Sequence, residues 1–431
     1  MKAYDVIVVG AGPAGSSTAL RLAQKGLKVA IIERGNTPGS KNMFGGMLPR
    51  CPIVENLIPN FWEEAPWERH VIKNIITFMT DLSSTSIMFE TKNFDKPPYN
   101  GYTVFRPIFD KWFADKACSS GANLFTGCLV ENLLRDGNAI SGVKIAKEDG
   151  EIHADIVIAC DGVLSLLAKK VGLCKETKLS DMALGLKALF YLPEEDINQR
   201  FNLVRRQGLV HTILGCTEGI RGGGFIYTQT ESLSVGLVLH LDALKESRVA
   251  PYDIFYRFLS TDRLKRILKG ANLIEYSAHL IPEGGYKSIP KLFTDGLLLA
   301  GDAAGLCYTN GINQEGMNLA ITSGFLAAET VYEAFEKGDF SAKQLLKYED
   351  RLRESFALKD IKTFEKSVDL MNNDRLFSIY PEIVGSVFEK LLQNNGKPRK
   401  KIGHLSWNII KDSMSIKELI IDLIKVGRFI V

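Results

Sequence analysis

Apolar and polar positions alternate along this chain in distinct local rhythms, and each rhythm predicts an element. Two short continuous apolar runs, Val6 to Val9 and Val29 to Ile32, bracket a helical pattern at Ala19, Leu20, Leu22 and Ala23, which predicts a βαβ unit. Residues 35–50 are dense in Gly, Pro, Ser and Asn and read as a long loop. ITFMT around Ile76 and SIMFE around Ile87 read as strands of another domain that interrupts the first. From Phe105, RPIFDKWFADKACSSGA is helical, apolar at Phe109, Trp112, Phe113 and Ala117, and ends at Gly121. A meander over 129–134 and 140–146 turns at Asp136-Gly137-Asn138, and a buried strand follows over 155–162.

From about residue 180 the pattern becomes strand after strand: ALGLKALFYL, GLVHTILG, GGFIYTQT and LSVGLVLHL. These predict an antiparallel sheet with Gly222, Gly223 and Gly224 as a turn, closed by a helical YDIFYRFLSTDRLKRIL. At Gly296 the chain returns to the first domain with a strand over 297–300, a glycine-rich loop and a long helix over 314–336. Beyond Ser341 it is amphipathic helix, broken over 394–401. The expected organisation is α/β: a discontinuous Rossmann-type domain over 1–75, 101–178 and 278–340, an antiparallel-sheet domain over 76–100 and 179–277, and a helical region over 341–431.

Composition narrows the function classes. The 431 residues carry a formal net charge of only +3, so no nucleic-acid partner is implied. The first strand opens at Asp5, which leaves no room for a signal peptide, and a cytoplasmic location is expected. No apolar run approaches the roughly 18 residues of a membrane span, so membrane contact is expected to be peripheral. Seven scattered cysteines without a close pair read as reduced thiols, and six histidines without i, i+4 pairing give no metal signal. No metal site is expected.

The candidate chemistry begins at GAGPAG. Gly10 permits the tight turn, Gly12 lets backbone N–H groups approach a pyrophosphate at the helix N-terminus, and Gly15 lets helix and strand pack closely. Ala11, Pro13 and Ala14 complete the fingerprint, and Glu33 at the end of the second strand stands where a carboxylate takes a ribose 2′-hydroxyl. Arg106 offers a cation to an anionic cofactor or to solvent. Asp161-Gly162 ends a strand just before a helix and suggests a second contact with the same cofactor.

In order, GAGPAG with Glu33, Arg106, Asp161-Gly162 and Gly301-Asp302-Ala303 resemble the two-dinucleotide-domain flavoproteins of the para-hydroxybenzoate hydroxylase and glutathione reductase-like type. That resemblance implies FAD. It gives Asp302 the ribityl hydroxyls and aims the N-terminus of the 314–336 helix at the flavin pyrimidine, where a positive helix end stabilises the charge of reduction. It also extends the cofactor contacts to Arg34, Lys41, Asn42, Gly45, Gly46, Val130, Gly311, Ile312 and Asn313.

Within that fold, GSKNMFGG, RGGGFIYTQTESLSVGLVL and TNGINQEGMNLAITSG resemble the FixC branch of the electron transfer flavoprotein:quinone oxidoreductases. Geranylgeranyl reductases carry a Cys before the paired glycines, where Phe44 stands here, and fused quinone oxidoreductases carry a C-terminal ferredoxin domain, whereas no cysteine follows Cys307 here. The resemblance implies electrons received from electron transfer flavoprotein subunits and passed to a quinone, a separate ferredoxin-like iron–sulfur subunit, and a place on the cytoplasmic membrane face. No side chain is assigned a catalytic role, and Glu315 reads as a helix-N-terminal acid. Two other readings stay open: an NAD(P)H-dependent flavin reductase of geranylgeranyl reductase type acting on a lipid, and a flavin-stabilised assembly platform. From residue 390 onward nine cations face three acids, and Ile416, Leu419, Ile420, Leu423 and Ile424 form an apolar set that either enters a membrane interface or packs on the protein.

Overall fold

The computed structural model describes residues 3–42, 45–147, 150–311, 313–396 and 398–430. Runs that are apolar without alternation become the centre of a six-stranded sheet. Its order is Phe293–Thr294, Leu297–Leu299, Ile156–Ala159, Val6–Val9, Val29–Ile32 and Asn123–Phe125, and only the Phe293–Thr294 edge runs antiparallel. Every residue of the four central strands is buried, as a parallel sheet covered on both faces requires.

Helix Pro13–Gln24 crosses helix Met317–Lys337 at a contact made for glycine. A Cβ on Gly324 would lie 2.2 Å from the Ala14 carbonyl oxygen, and the Thr18 hydroxyl, 2.8 Å from Ala14 O, also donates to Gly324 O at 3.0 Å. The long helix starts at Met317, not at Gln314. Gln314–Glu315 instead pairs with Tyr308–Thr309 as a two-stranded ribbon, and Gly316 separates that ribbon from the first helical turn. The helix ends at Gly338 in the left-handed region, a position that favours glycine.

The meander forms as expected over Val130–Asp136 and Ala139–Ile145, and Glu151–His153 adds a third strand.

The second large sheet has nine strands, in the order Asn272–Pro282, Met182–Tyr191, Ser232–His240, Gly222–Thr228, Gln207–Leu214, Trp67–Met79, Gly101–Phe105 and Gly45–Pro49, with Ser84–Glu90 paired to Trp67–Met79. It is antiparallel except where Gln207–Leu214 runs parallel to Trp67–Met79. The three glycines expected to turn do not. Gly222, Gly223 and Gly224 begin a strand and pair with Leu239, Val238 and Leu237. A Cβ on Gly224 would stand 2.9 Å from the Phe258 ring, so this glycine makes room for a helix packed on the sheet.

YDIFYRFLSTDRLKRIL forms two helices, Pro251–Leu259 and Asp262–Ile267, and the sheet then gains Asn272–Pro282, a strand absent from the sequence expectation. These helices cover one face over a core of Leu186, Ile213, Ile226, Val235, Leu237, Ile254, Phe255 and Phe258. The sheet curls until its far end meets its middle. A Cβ on Gly45, in the last strand of the order, would fall 2.0 Å from Ser234 Oγ, and Thr103 Oγ1 donates to Thr228 O at 2.9 Å.

Candidate flavin site

Three strands of the six-stranded sheet end side by side and deliver the three motifs to one edge. Cys160 N donates to Val9 O at 2.8 Å and Ala300 N to Ala159 O at 3.0 Å, so Gly10, Asp161 and Gly301-Asp302 follow adjacent strand ends. Ligands of open α/β sheets gather at this carboxyl edge. The glycines there are sterically required. Gly10 has φ +99° and a Cβ on it would approach Cys160 O to 2.4 Å, while a Cβ on Gly15 would approach Gly10 O to 1.9 Å. At Gly12 the atom nearest an added Cβ is Arg106 Nη2, 4.0 Å away, so that side of the loop opens toward a cation.

Arg106 is half-buried and ion-paired rather than free in solvent. Its Nε and Nη2 bind Asp110 Oδ1 and Oδ2 at 2.9 and 2.8 Å one helical turn on, and Asp110 is fully buried. Burial works against its charge, but Asp110 and then Asp302 hold the guanidinium protonated. Burial raises the Asp302 carboxyl above its ordinary range, and Arg106 opposes that shift. Glu33 is held by backbone: Oε2 accepts from Ala11 N at 2.9 Å and Oε1 from Gly35 N at 2.6 Å.

Asp161 Oδ2 accepts from Leu167 N at 3.1 Å, while Oδ1 is buried without a partner, and burial raises this carboxyl. Ser165 Oγ donates to Ala303 O at 2.8 Å and ties the second motif to the third. Asn318, in the first turn of the long helix, likewise has a buried Oδ1 without a partner. Its amide nitrogen donates to Glu315 Oε2 at 2.7 Å, so Glu315 contacts the helix start through a side chain. A glycine-lined cradle, a cation beside it and two orphaned buried oxygens fit a cofactor carrying a pyrophosphate, hydroxyls and ring N–H groups.

The remaining expected residues fall less uniformly. Gly46 faces the same region, since its added Cβ would meet Met317 Sδ at 3.5 Å and Arg106 Cδ at 3.7 Å. Gly162 takes φ +79° at the strand-to-helix turn. Arg34 is exposed, but its charge opposes the rise of Asp161. Lys41 is exposed, Asn42 spends its backbone N–H on Gly39 O at 2.9 Å, and Val130 is half-buried at the start of the meander. Gly311 takes φ +86° beneath Phe429, whose ring an added Cβ would meet at 3.0 Å. Asn313 N donates to Asn310 Oδ1 at 2.9 Å, and Ile312 lies outside the described residues.

Other groups at this site were not singled out from the sequence. Lys187, from the nine-stranded sheet, donates to Gly45 O, and burial followed by the Arg106 charge pushes it down to about 7. His279, on the neighbouring strand, is pushed down to about 4 by burial and then by Arg106, Arg34 and Lys187. Burial pushes Glu283 up to about 7. The only sequence signal for Lys187 is one cation in the otherwise apolar ALGLKALFYL. His279 gave none, because its strand was not expected, and Glu283 directly follows that strand.

Three family models match the chain in succession: "FAD binding domain" over residues 3–191, "ETF-QO, ubiquinone-binding" over 182–281, and "ETF-QO/FixC family C-terminal domain" over 368–430. The probable electron transfer flavoprotein-quinone oxidoreductase YdiS of Escherichia coli K12 is 38% identical over 423 residues, covering 95% of this chain and 97% of that protein. Protein FixC of Azotobacter vinelandii is 39% identical over 401 residues, covering 92% of each. Among solved structures, a geranylgeranyl bacteriochlorophyll reductase-like protein of Thermoplasma acidophilum superposes with a TM-score of 0.72 at 21% identity, covering 96% of this chain and 97% of that one. Flavin-dependent brominase Bmp2 gives 0.61 at 17%, covering 87% and 94%. These two likenesses bear on the fold alone.

Proposed function

This chain belongs to the FixC branch of the electron transfer flavoprotein:quinone oxidoreductase family, and on that footing we propose that it takes electrons from an electron transfer flavoprotein and passes them to a quinone. It is an FAD-dependent oxidoreductase. The observation that carries the finer reading is an overlap. The span matched by the ubiquinone-binding model, 182–281, supplies the sheet face from which Lys187 reaches the Gly45-Gly46 backbone beside Arg106 and Met317.

The bound flavin supplies reversible electron transfer, and the chain supplies binding, orientation and electrostatics. Gly10 to Gly15 and the helix behind them would hold the pyrophosphate, with Arg106 as counter-charge. Glu33 takes the adenosine ribose, Asp302 the ribityl hydroxyls, and Asp161 Oδ1 and Asn318 Oδ1 accept N–H or O–H groups of the cofactor. The Met317–Lys337 helix would offer its positive end to the ring of a bound flavin.

An iron–sulfur cluster in the complex would come from a ferredoxin-like subunit, a reading supported by the likeness to FixC proteins. Contact with the membrane is made by the C-terminal helix Ile416–Ile430. Its polar stripe faces the protein: Asp422, buried, receives Arg375 Nε and Nη2 and the Tyr380 hydroxyl. Ile416, Ile420, Leu423, Ile424 and Ile430 face outward beside Lys417 and Arg428. An apolar face flanked by cations suits an anionic bilayer, each cation near such a surface contributing about 1 kcal/mol. No helix among the described residues is long and apolar enough to cross a membrane.

Anaerobic mixing tests the donor. Reduced electron transfer flavoprotein should bleach the bound flavin quickly, and NADH or NADPH should do so slowly or not at all. Rapid bleaching by a pyridine nucleotide overturns the proposal in favour of a flavin reductase.

A further inference from the structure

Three cations are buried in the nine-stranded sheet, and two of them are saturated. Arg69 donates to the carbonyls of Gln229, Gln207, Thr230 and Arg205 and to Asn198 Oδ1, at 2.6 to 3.2 Å. Lys73 donates to Phe201 O at 2.8 Å and Asn202 O at 3.0 Å and pairs with Glu90 at 3.0 Å. Such cations are structural pins whose desolvation is offset by full coordination. Lys187 is different. Among the described residues its ammonium has one carbonyl, Gly45 O, and two aromatic faces, Phe225 at 5.5 Å and Tyr227 at 5.9 Å, with no carboxylate in ion-pair range.

An ammonium with three N–H donors and one carbonyl acceptor is costly to keep in a sheet interior, where a methionine would pack at less cost. Its cross-strand neighbours are Gly236 and Ser277, and the space over Gly236 is taken by the Phe225 ring, which an added Cβ there would meet at 2.2 Å, so no further polar partner comes from that side. The backbone it touches is the glycine pair whose other side opens to Arg106 and Met317, so a single residue separates Lys187 from the cofactor edge. The other ionisable groups facing it are Arg106 from the start of its helix, Tyr227 from Gly222–Thr228, one strand beyond its neighbour Ser232–His240, and Glu275 and His279, which flank Ser277 on the outer strand. Glu275 and Ser277 are half-buried and offer a way to solvent.

We propose that Lys187 is the proton-holding group of the redox site, taking up one proton when an electron pair arrives beside it and releasing that proton when the pair leaves. Negative charge accumulating at the cofactor edge raises the proton affinity of a nearby amine, so reduction draws a proton from solvent onto Nζ. On oxidation by a quinone, two electrons pass to the acceptor, one N–H bond of the ammonium breaks, an O–H bond forms at a quinone oxygen, and the N–H electron pair remains on Lys187 as the amine lone pair. The second proton of the quinol is matched by the one that the reduced cofactor gives up on oxidation, exchanged through water. The choice of acceptor rests on the function proposed above, whereas the redox-linked protonation needs only the FAD.

The test uses the FAD-loaded full chain and no quinone. In weakly buffered solution at about pH 8, where the oxidised site would hold Lys187 largely neutral, the same reductant should draw close to one more proton per flavin into the wild type than into Lys187→Met. Lys187→Arg, charged throughout, should match the methionine variant in stoichiometry. In the wild type the flavin midpoint potential plotted against pH should change slope near neutrality, and in both variants that break should vanish. Identical proton stoichiometry in all three proteins, or a wild-type curve without the break, overturns the inference. If both variants lose flavin, proton uptake by the wild type is compared with that of free FAD at the same pH, where one more proton per flavin supports the inference and equal uptake overturns it. Intact proton linkage with no quinone turnover would instead count against the proposed function and leave this inference standing.

Discussion

The two sheets build their halves of the site by opposite means. At the carboxyl edge of the six-stranded sheet, backbone and glycine dominate: Gly10 and Gly15 tolerate no Cβ, and Glu33 is fixed by the N–H groups of Ala11 and Gly35. On the nine-stranded sheet side chains dominate, with Lys187 reaching Gly45 from a separate strand and Gln229 Nε2, in the turn before Ser232–His240, donating to Ser234 Oγ at 2.9 Å. The first kind of surface is a rigid mould for a cofactor that does not change. The second is adjustable in charge and shape, which suits the face that meets a redox partner.

Breaking the mould should have the largest effect. Gly12→Val fills the space beside Arg106, and Asp302→Ala removes a half-buried acceptor, so each should lower flavin affinity by more than about tenfold, equivalent to roughly 1.4 kcal/mol. The flavin-to-protein absorbance ratio after gel filtration measures this, and full retention in both variants would sink the assignment of that edge. Asp110→Ala comes next. It leaves Arg106 buried without its bidentate partner and should cost about 3–5 kcal/mol in denaturant unfolding. A paired Arg106→Met, Asp110→Leu change should recover stability while flavin binding stays impaired.

Lys187→Met probes the other surface and should stabilise the protein. The folded-state value of Lys187 is depressed, so its burial penalty is full below about pH 7 and fades as pH rises toward the unfolded value. The variant should therefore exceed the wild type by on the order of a few kcal/mol at acid pH and converge with it in alkali. Unfolding curves across that range check the sign, and a variant destabilised at low pH would refute the account of Lys187 as an uncompensated charge.

The smallest effect concerns the C-terminal helix. Burial opposes ionisation of Asp422, yet hydrogen bonds from Arg375, Asn373 and Tyr380 hold its carboxyl below the ordinary range. Its contribution is present above that range and is lost as pH falls through the depressed value. Asp422→Asn should open residues 416–430 to hydrogen exchange by on the order of 1–2 kcal/mol, with the rest of the chain unchanged. Leu423→Glu with Ile424→Glu should keep the helix docked and weaken sedimentation with anionic vesicles.

The nucleotide edge was legible because its residues are close in sequence or follow strands of recognisable pattern, and because close backbone approach admits glycine alone at Gly10 and Gly15. The paired Gly45-Gly46 were legible only as a motif, since the reason for them, contact with Ser234 and Lys187, comes from strands far along the chain. Gly222 to Gly224 misled the sequence reading because a glycine run signals a turn locally. What places it in a strand is the Phe258 ring packed over Gly224, a tertiary fact.

By itself, then, the sequence determined the βαβ unit with its turn glycines, the helical C-terminal region and the family, because these follow from local periodicity and residue identity. Only the tertiary structure decided that the second sheet curls to bring Lys187 onto Gly45, that Asn272–Pro282 extends it and carries His279, and that the last helix docks by its polar stripe and turns its apolar face outward. Periodicity specifies that a helix has two faces. Which face is buried depends on the partner it meets, and for Asp422 that partner is Arg375, some forty-seven positions earlier in the chain.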